Sequence, residues 1–306
     1  MITNPFFTII IPTYNRANLL GLAIESVLAQ TFAEWEMIIV DDGSTDNTRQ
    51  IIESFTDNRI KYLYQKNSER SAARNNGIEK SSGSYICFLD SDDYFLPERL
   101  KSIYKELEIR DFPIAAFYTG LTSDKNGVLV KREESVCEVN LFNHLALSVI
   151  HSQQTCIQHT ILKEFKFDTQ FHIGEDMELW LRIAARFPFV YLKNLENVVV
   201  VDHEDRSVNV KKFNSYPDQM RMLRRIFSND HPGKNISPKV KKRLISNCYF
   251  GTAKYFIYNG DRLKALKNIF DAIRSDRGHF QNKYRLNIAI RLLLPGGIEK
   301  ARQLLE

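Results

Sequence analysis

YICFLDSDDYFLPERL, residues 85–100, sets a continuously apolar run, Tyr85–Leu89, directly before three carboxylates, Asp90, Asp92 and Asp93. A short apolar run bounded by polar residues marks a strand buried on both faces of a parallel sheet. The residues that follow change period: Leu100, Ile103, Tyr104 and Leu107 fall on one face of a helix, and Pro97 suits its first turn. Strand, acidic end and helix make one βα unit. Asp90, Asp92 and Asp93 repel one another, so the cluster is unfavourable at neutral pH unless something positive sits among them.

The same unit recurs on either side. Strand-like runs stand at Phe6–Ile11, Glu36–Val40, Ile60–Tyr64, Ser84–Leu89 and Ile114–Tyr118, and Leu20, Ala23, Ile24, Val27 and Leu28 line one face of an intervening helix. Alternating strands and helices imply a doubly wound α/β sheet, whose ligands bind beyond the carboxyl ends of the strands. Those ends are polar. The first strand runs into Pro12-Thr13-Tyr14-Asn15-Arg16, the second into Asp41-Asp42-Gly43-Ser44-Thr45-Asp46, and a later one into the acidic cluster.

A dinucleotide-binding domain would need G-x-G-x-x-G after the first strand, so that backbone N–H groups can approach a diphosphate. Here the turn is PTYNRAN, with no glycine before Gly21, and no Walker A pattern is present. Without that cradle a diphosphate needs positive charge from elsewhere, and a metal held by carboxylates supplies it.

The chain has 306 residues and a net charge of +5, which hides a division. Residues 1–205 hold 20 Lys+Arg against 30 Asp+Glu, a net of −10; residues 206–306 hold 22 against 7, a net of +15. Two domains are expected, with the boundary near Arg206. Cys87, Cys137, Cys156 and Cys248 are scattered without metal-ligand spacing, the usage of a reduced intracellular protein. MITNPFFTIIIPTYNR lacks the basic region and cleavage site of a signal peptide, and no apolar run approaches the roughly 20 residues of a membrane span. A cytoplasmic chain is expected, with the inner face of the membrane as a peripheral location.

Taken together, IIIPTYNR (Ile9–Arg16), IIVDDGSTD (Ile38–Asp46), ARNNGI (Ala73–Ile78), YICFLDSDD (Tyr85–Asp93) and GEDMELWLR (Gly174–Arg182) closely resemble the family-2 glycosyltransferases of the GT-A fold, in order and spacing. The resemblance implies a GT-A fold, a Rossmann-like doubly wound mixed sheet, over residues 1–205. It also implies transfer of a sugar, UDP-linked by preference, from a nucleotide-sugar donor to an acceptor hydroxyl, with inversion.

By the same resemblance, Asp92 belongs to a metal, and Asp90 to the donor ribose or the metal's water shell, with Ser91 between them. All-oxygen ligands suit Mn²⁺ or Mg²⁺, which keep positions open for phosphates. An extended Asp90-Ser91-Asp92 would put both carboxylates on one side; Asp93 equally suits capping the next helix. Pro12, Thr13 and Tyr14 would line the base pocket with Arg16 nearby, and Asp41, ahead of Asp42, would hold base or ribose. Asp42-Gly43-Ser44 also suits a turn into a helix cap.

Arg74 and Asn75, from the A-R-N-x-G pattern, would hold the nucleotide edge, or Arg74 would grip Asp41. Arg70, one turn earlier, is either a donor contact or a solvated position, because Glu69 stands where the family usually has glycine. Asp176 matches the catalytic base, which removes the acceptor's proton. Glu175 would bind acceptor hydroxyls or raise the Asp176 pKa by like-charge repulsion. His203, after the apolar run Val198–Val201, would complete the metal shell. His151, His159 and His172 are weaker candidates near the acceptor, and Trp180 reads as core. The Q-x-x-R-W motif of processive members is missing, so addition of single sugars is expected.

Beyond Arg206 the pattern is helical. Ser237-Pro238 and Gly260-Asp261 read as helix starts, and Leu263, Leu266, Ile269, Phe270 and Ile273 as an apolar face. The last stretch, NKYRLNIAIRLLLPGGIEKARQLLE, reads either as a basic amphipathic helix on anionic lipid or as a packed helix with solvated charges. Interleaved aromatics and recognised nucleic-acid motifs are missing, so nucleic acid is not an expected partner. The function expected is a glycosyltransferase of polysaccharide or glycolipid assembly, acting on a saccharide or lipid-linked saccharide. The alternative is a non-catalytic nucleotide-sugar-binding protein of the same fold. A nucleotidyltransferase would need a glycine-rich basic loop that PTYNRAN does not supply.

Overall fold

The computed structural model describes residues 5–125, 127–131, 140–193, 198–201, 214–280 and 283–305. These form two compact units, Met1–Val139 with Ser148–Asp202, and Asn140–Leu147 with His203–Glu306.

The first unit begins β1 (Phe7–Thr13), α1 (Ala17–Leu28), β2 (Trp35–Asp41), α2 (Thr48–Glu53), β3 (Ile60–Tyr64), α3 (Glu69–Lys80), β4 (Tyr85–Phe88), β5 (Tyr94–Phe95) and α4 (Arg99–Ile109). Then come β6 (Ala116–Thr119), β7 (Thr122–Lys125) and β8 (Val128–Lys131). In the second unit lies α5 (Leu141–Leu147). The first unit ends with β9 (Thr155–Gln158), α6 (His159–Glu164), α7 (Glu175–Ala184), β10 (Phe189–Leu192) and β11 (Val198–Val201). A seven-stranded sheet has the order β10-β6-β9-β4-β1-β2-β3, and a four-stranded one β5-β11-β7-β8.

The first four strands lie side by side and parallel, β1 between β2 and β4, with β3 at the edge. Burial on both faces explains why β1, β2 and β4 read as mainly apolar runs, whereas the edge strand β3 is only partly buried and carries Lys61. From β1 the chain steps outward through β2 and β3, then returns to β4 on the other side of β1, which places the topological switch point between β1 and β4. Register aligns the strand ends there: Thr13 pairs with Asp41, and Ile10 with Phe88. The sheet is mixed because β9 runs antiparallel to both β4 and β6.

Helix α1 buries Leu20, Ala23, Ile24 and Val27, and α4 buries Leu100, Ile103 and Leu107, the expected faces, against one core with β1 and β2. Pro97 lies not in the first turn of α4 but two residues ahead of it, where its carbonyl accepts Thr31 N–H at 3.0 Å. Gly77 brings α3 against β1: a Cβ there would meet Ile10 Cγ2 at 2.5 Å.

The second unit continues with α8 (Tyr216–Ile226), α9 (Pro238–Tyr258), α10 (Arg262–Ser275), α11 (Arg277–Phe280), α12 (Lys283–Leu293) and α13 (Gly297–Arg302). The predicted starts are present. Ser237 Oγ caps α9 at Val240 N–H, and Asp261 caps α10 at Lys264 N–H. The predicted face of α10 is corrected: Ala265, Ile269 and Ala272 are buried, while Leu263 and Phe270 are exposed. Small side chains let α10 lie close to α9, and a pattern read from large apolar residues misses them.

Candidate active site

Strand β4 stops at Phe88, and the acidic cluster beyond it is a turn, with Asp93 N–H bonded to Asp90 O at 3.2 Å. The extended alternation expected at Asp90-Ser91-Asp92 is therefore absent, since Asp and Ser favour turns at a strand end. The turn still gathers the carboxylates: one oxygen each of Asp90, Asp92 and Asp93 lie within 4.8 Å of one another. Asp93 does not cap α4. It is buried, and its carboxylate accepts from Gln153 Nε2.

A positive charge does sit beside this turn. Arg74, on α3, is almost wholly buried, and its Nη2 is 3.0 Å from Asp90 Oδ1. Its Nη1 reaches Glu175 Oε1 at 3.1 Å and Asp176 Oδ1 at 3.5 Å. The guanidinium also lies over the Phe167 ring, 5.3 Å from the centroid. Arg74 pairs with these carboxylates and not with Asp41, one of the two roles expected of it. It joins the acidic turn to the start of α7.

Gly174, at φ +80°, turns the chain into α7, whose first turn carries Glu175, Asp176 and Glu178 where the helix dipole favours anions. Asp176 Oδ2 accepts Ser152 N–H at 3.0 Å. Burial pushes the Asp176 carboxyl up to about 7; the charges of Glu175 and Asp90 push the same way, against Arg74 and the Ser152 N–H. The Glu175 repulsion expected to set this pKa is thus secondary to desolvation.

At the ends of β1 and β2, the carboxylates serve the protein. Asp41 accepts Ser44 N–H at 2.8 Å and Tyr62 O–H at 2.9 Å, and Asp42 Oδ1 accepts Gln65 Nε2 at 2.7 Å and Ser68 N–H at 2.9 Å. Burial and the Asp41 carboxylate push the Tyr62 phenol up to about 12. Thr13 Oγ1 is buried with no hydrogen-bond partner among the described residues, and so are Ser152 Oγ and Gln153 Oε1. A ligand with polar groups would satisfy such atoms. Pro12 is half-buried beside Thr13, and Tyr14 is exposed at the rim.

The sequence profile described as "Glycosyl transferase family 2" matches residues 8–163, just over half of the chain. The chain belongs to glycosyltransferase family 2. Among its relatives is an Escherichia coli protein named UDP-Glc:alpha-D-GlcNAc-diphosphoundecaprenol beta-1,3-glucosyltransferase WfgD. It is 33% identical over 177 residues, 58% of this chain and 68% of that one. The first relatives matched are uncharacterised Rickettsia glycosyltransferases; that of Rickettsia felis is 34% identical over 181 residues, which cover 30% of its length.

Solved structures support the GT-A-like fold of this family member. S. aureus TarS 1–349 in complex with UDP-GlcNAc superposes with a TM-score of 0.61 at 20% identity, over 97% of this chain and 90% of that one. Mannosyltransferase PcManGT from Pyrobaculum calidifontis, in complex with GDP-Man and Mn²⁺, gives 0.57 at 16% identity, over 98% and 87%.

The remaining family positions divide into two groups. Arg70 Nε is 4.0 Å from Glu175 Oε1, so it faces the site. Glu69 keeps a left-handed φ of +72°, the conformation glycine would adopt, and its carboxylate lies 3.8 Å from His172 Nδ1. Ser91 is buried within the acidic turn. By contrast, Asn75 gives Nδ2 to Phe167 O and takes Phe167 N–H on Oδ1, both at 2.9 Å, which fixes α3 to the chain before α7 instead of presenting an amide to a ligand. Arg16 precedes α1, its N–H 3.2 Å from Thr48 Oγ1. His159 bonds Ser81 Oγ and Gly83 O at the start of β4, the end of that strand away from the acidic turn. His151 precedes the turn Ser152–Gln154. Trp180 is core, donating to Ile150 O at 3.0 Å. His203 lies outside the described residues.

Sequence reading missed Ser152 and Gln153. The turn that holds them supplies a bond to Asp176 and another to Asp93, yet HSQQT carries no motif that announces it.

Proposed function

We propose that the chain moves one sugar at a time from a nucleotide-diphosphate sugar, UDP-linked by preference, to an acceptor hydroxyl with inversion. The assignment extends to bacterial cell-surface glycan or glycolipid assembly at the cytoplasmic face of the membrane, with a lipid-linked saccharide as the class of acceptor. The observation that carries it is Arg74, which brings the acidic turn and the Glu175-Asp176 pair into one cluster although they are 86 positions apart, from Asp90 to Asp176.

The acidic turn fits a divalent cation by its chemistry, three carboxylates gathered in one turn. Asp92 and Asp90 would hold Mn²⁺ or Mg²⁺, with His203 as a further ligand, and the ion would act as a Lewis acid on the departing diphosphate. Asp176 takes the proton of the acceptor hydroxyl as its oxygen bonds to the anomeric carbon and the bond from that carbon to the diphosphate breaks. A carboxyl raised to about 7 is a base matched to neutral pH. Glu175 and Arg70 bind the acceptor or the sugar from the same side, and Arg74 holds Asp176 in place. Pro12, Thr13 and Tyr14 line the base pocket with Arg16 at its edge. Asp41 and Asp42 shape that pocket; each Asp41 oxygen accepts one bond from the protein and keeps a lone pair for an N–H or O–H of the nucleoside, whereas Asp42 Oδ1 is filled by Gln65 and Ser68. Residues 1–205 carry the donor site and the basic region 206–306 is a separate helical domain.

Thermal shift with UDP-, GDP- and dTDP-sugars, with and without Mn²⁺, followed by assay of nucleoside diphosphate release, tests this reading. Stabilisation that requires both Mn²⁺ and one nucleotide sugar is expected. A flat response across the panel would overturn it.

A further inference from the structure

The second unit carries an apolar surface that its own core does not use. Helix α12 buries Ile288 and Leu292 and turns Leu286, Ile290 and Leu293 outward, 46%, 48% and 67% exposed. Helix α10 buries Ala265, Ile269 and Ala272 and turns outward Leu263 and Phe270, 80% and 65% exposed. Exposed Lys267 and Arg274 fall on the same side of α10, since 263, 267, 270 and 274 follow helical spacing. Arg262 Nε donates to Leu292 O at 2.7 Å, so the start of α10 meets the end of α12.

Charge selects the occupant. Helix α12 holds no acidic residue, α10 holds only Asp271, and residues 206–306 carry a net +15. A second copy of the chain would bring the same positive charge to the contact. An anionic bilayer brings the opposite charge, with an acyl boundary for Leu and Phe and phosphates for Lys and Arg. We infer that the outward rows of α10 and α12 are a docking face for an anionic lipid bilayer. This docking role does not depend on the proposed chemistry.

Co-sedimentation of the full chain tests it, using vesicles of phosphatidylcholine alone or with a quarter phosphatidylglycerol. Binding is expected only to the phosphatidylglycerol vesicles at low salt, with release at high salt. Lys267→Gln with Arg274→Gln should weaken partitioning about five-fold per charge, about 25-fold for the pair. Leu286→Glu with Ile290→Glu should abolish binding; both positions are exposed, and circular dichroism checks that the helices remain. No binding of the unaltered chain at low salt would overturn the inference, as would undiminished binding in both double variants. Light scattering that shows a dimer dissociated by Leu286→Glu/Ile290→Glu, without vesicle binding, would make the face a self-association surface instead. None of these results bears on the nucleotide-sugar test.

Discussion

Arg74 Nη2 lies 3.0 Å from Asp90 Oδ1, and this pair ties helix α3 to the turn that ends β4. The same guanidinium meets Glu175 and Asp176, so one buried cation faces three carboxylates. Removing it would leave those charges uncompensated in a low-dielectric setting.

Arg74→Ala should therefore destabilise the chain by about 3–5 kcal/mol, the usual cost of breaking a buried ion pair from one side. Urea unfolding at neutral pH measures it. Mn²⁺ should recover part of the loss in the variant, because a cation at the acidic turn replaces some of the missing charge. A loss below about 1 kcal/mol would mean that water already screens the cluster.

The raised Asp176 carboxyl makes a pair of pH predictions. A base must be ionised to act, so kcat/KM should climb through the region near 7 and then level. Asp176→Asn should lower turnover by roughly 10²–10⁴-fold while leaving donor affinity little changed. Stability follows from the same shift. Because the folded pKa lies above the unfolded one, the folded state holds the extra proton between about 4 and 7 and loses stability as pH rises through that window. Asp176→Asn should then be more stable than the unaltered chain at pH 8 by at least about 1 kcal/mol, with the gap closing below pH 4. Equal stabilities at pH 8 would mean that Asp176 is not desolvated.

Glu69 is a non-glycine residue at φ +72°. A left-handed conformation costs an L-residue roughly 1–2 kcal/mol, and the Glu69–His172 contact is half-exposed and weak. Glu69→Gly should stabilise the chain by about 0.5–1 kcal/mol once the greater freedom of unfolded glycine is subtracted. Destabilisation in chemical denaturation would show that the Glu69–His172 contact matters more than the backbone.

The parallel strands were legible because burial on both faces writes a continuous apolar run, as at Ile9–Ile11 and Ile38–Val40. Helix caps were legible too, since Ser237 and Asp261 act on residues three positions away. The partners of Arg74 were not. Its ion pairs span 16, 101 and 102 positions, and no local pattern reports which carboxylate the fold will bring near. Asn75 misled for the same reason: its motif is plain, but its amide is engaged by the Phe167 backbone, 92 positions away. The outward face of α10 was misassigned because alanines set how closely helices approach, while a search for large apolar residues passes over them.

The central claim is that the Asp90–Asp93 turn holds the cation that binds a nucleoside diphosphate. Calorimetric titration of UDP in the presence and absence of Mn²⁺, into the unaltered chain and Asp92→Asn, tests it most directly. Mn²⁺-dependent binding to the unaltered chain, lost in Asp92→Asn with its fold intact, is the predicted result. Equal Mn²⁺-dependent binding in both proteins would contradict the claim.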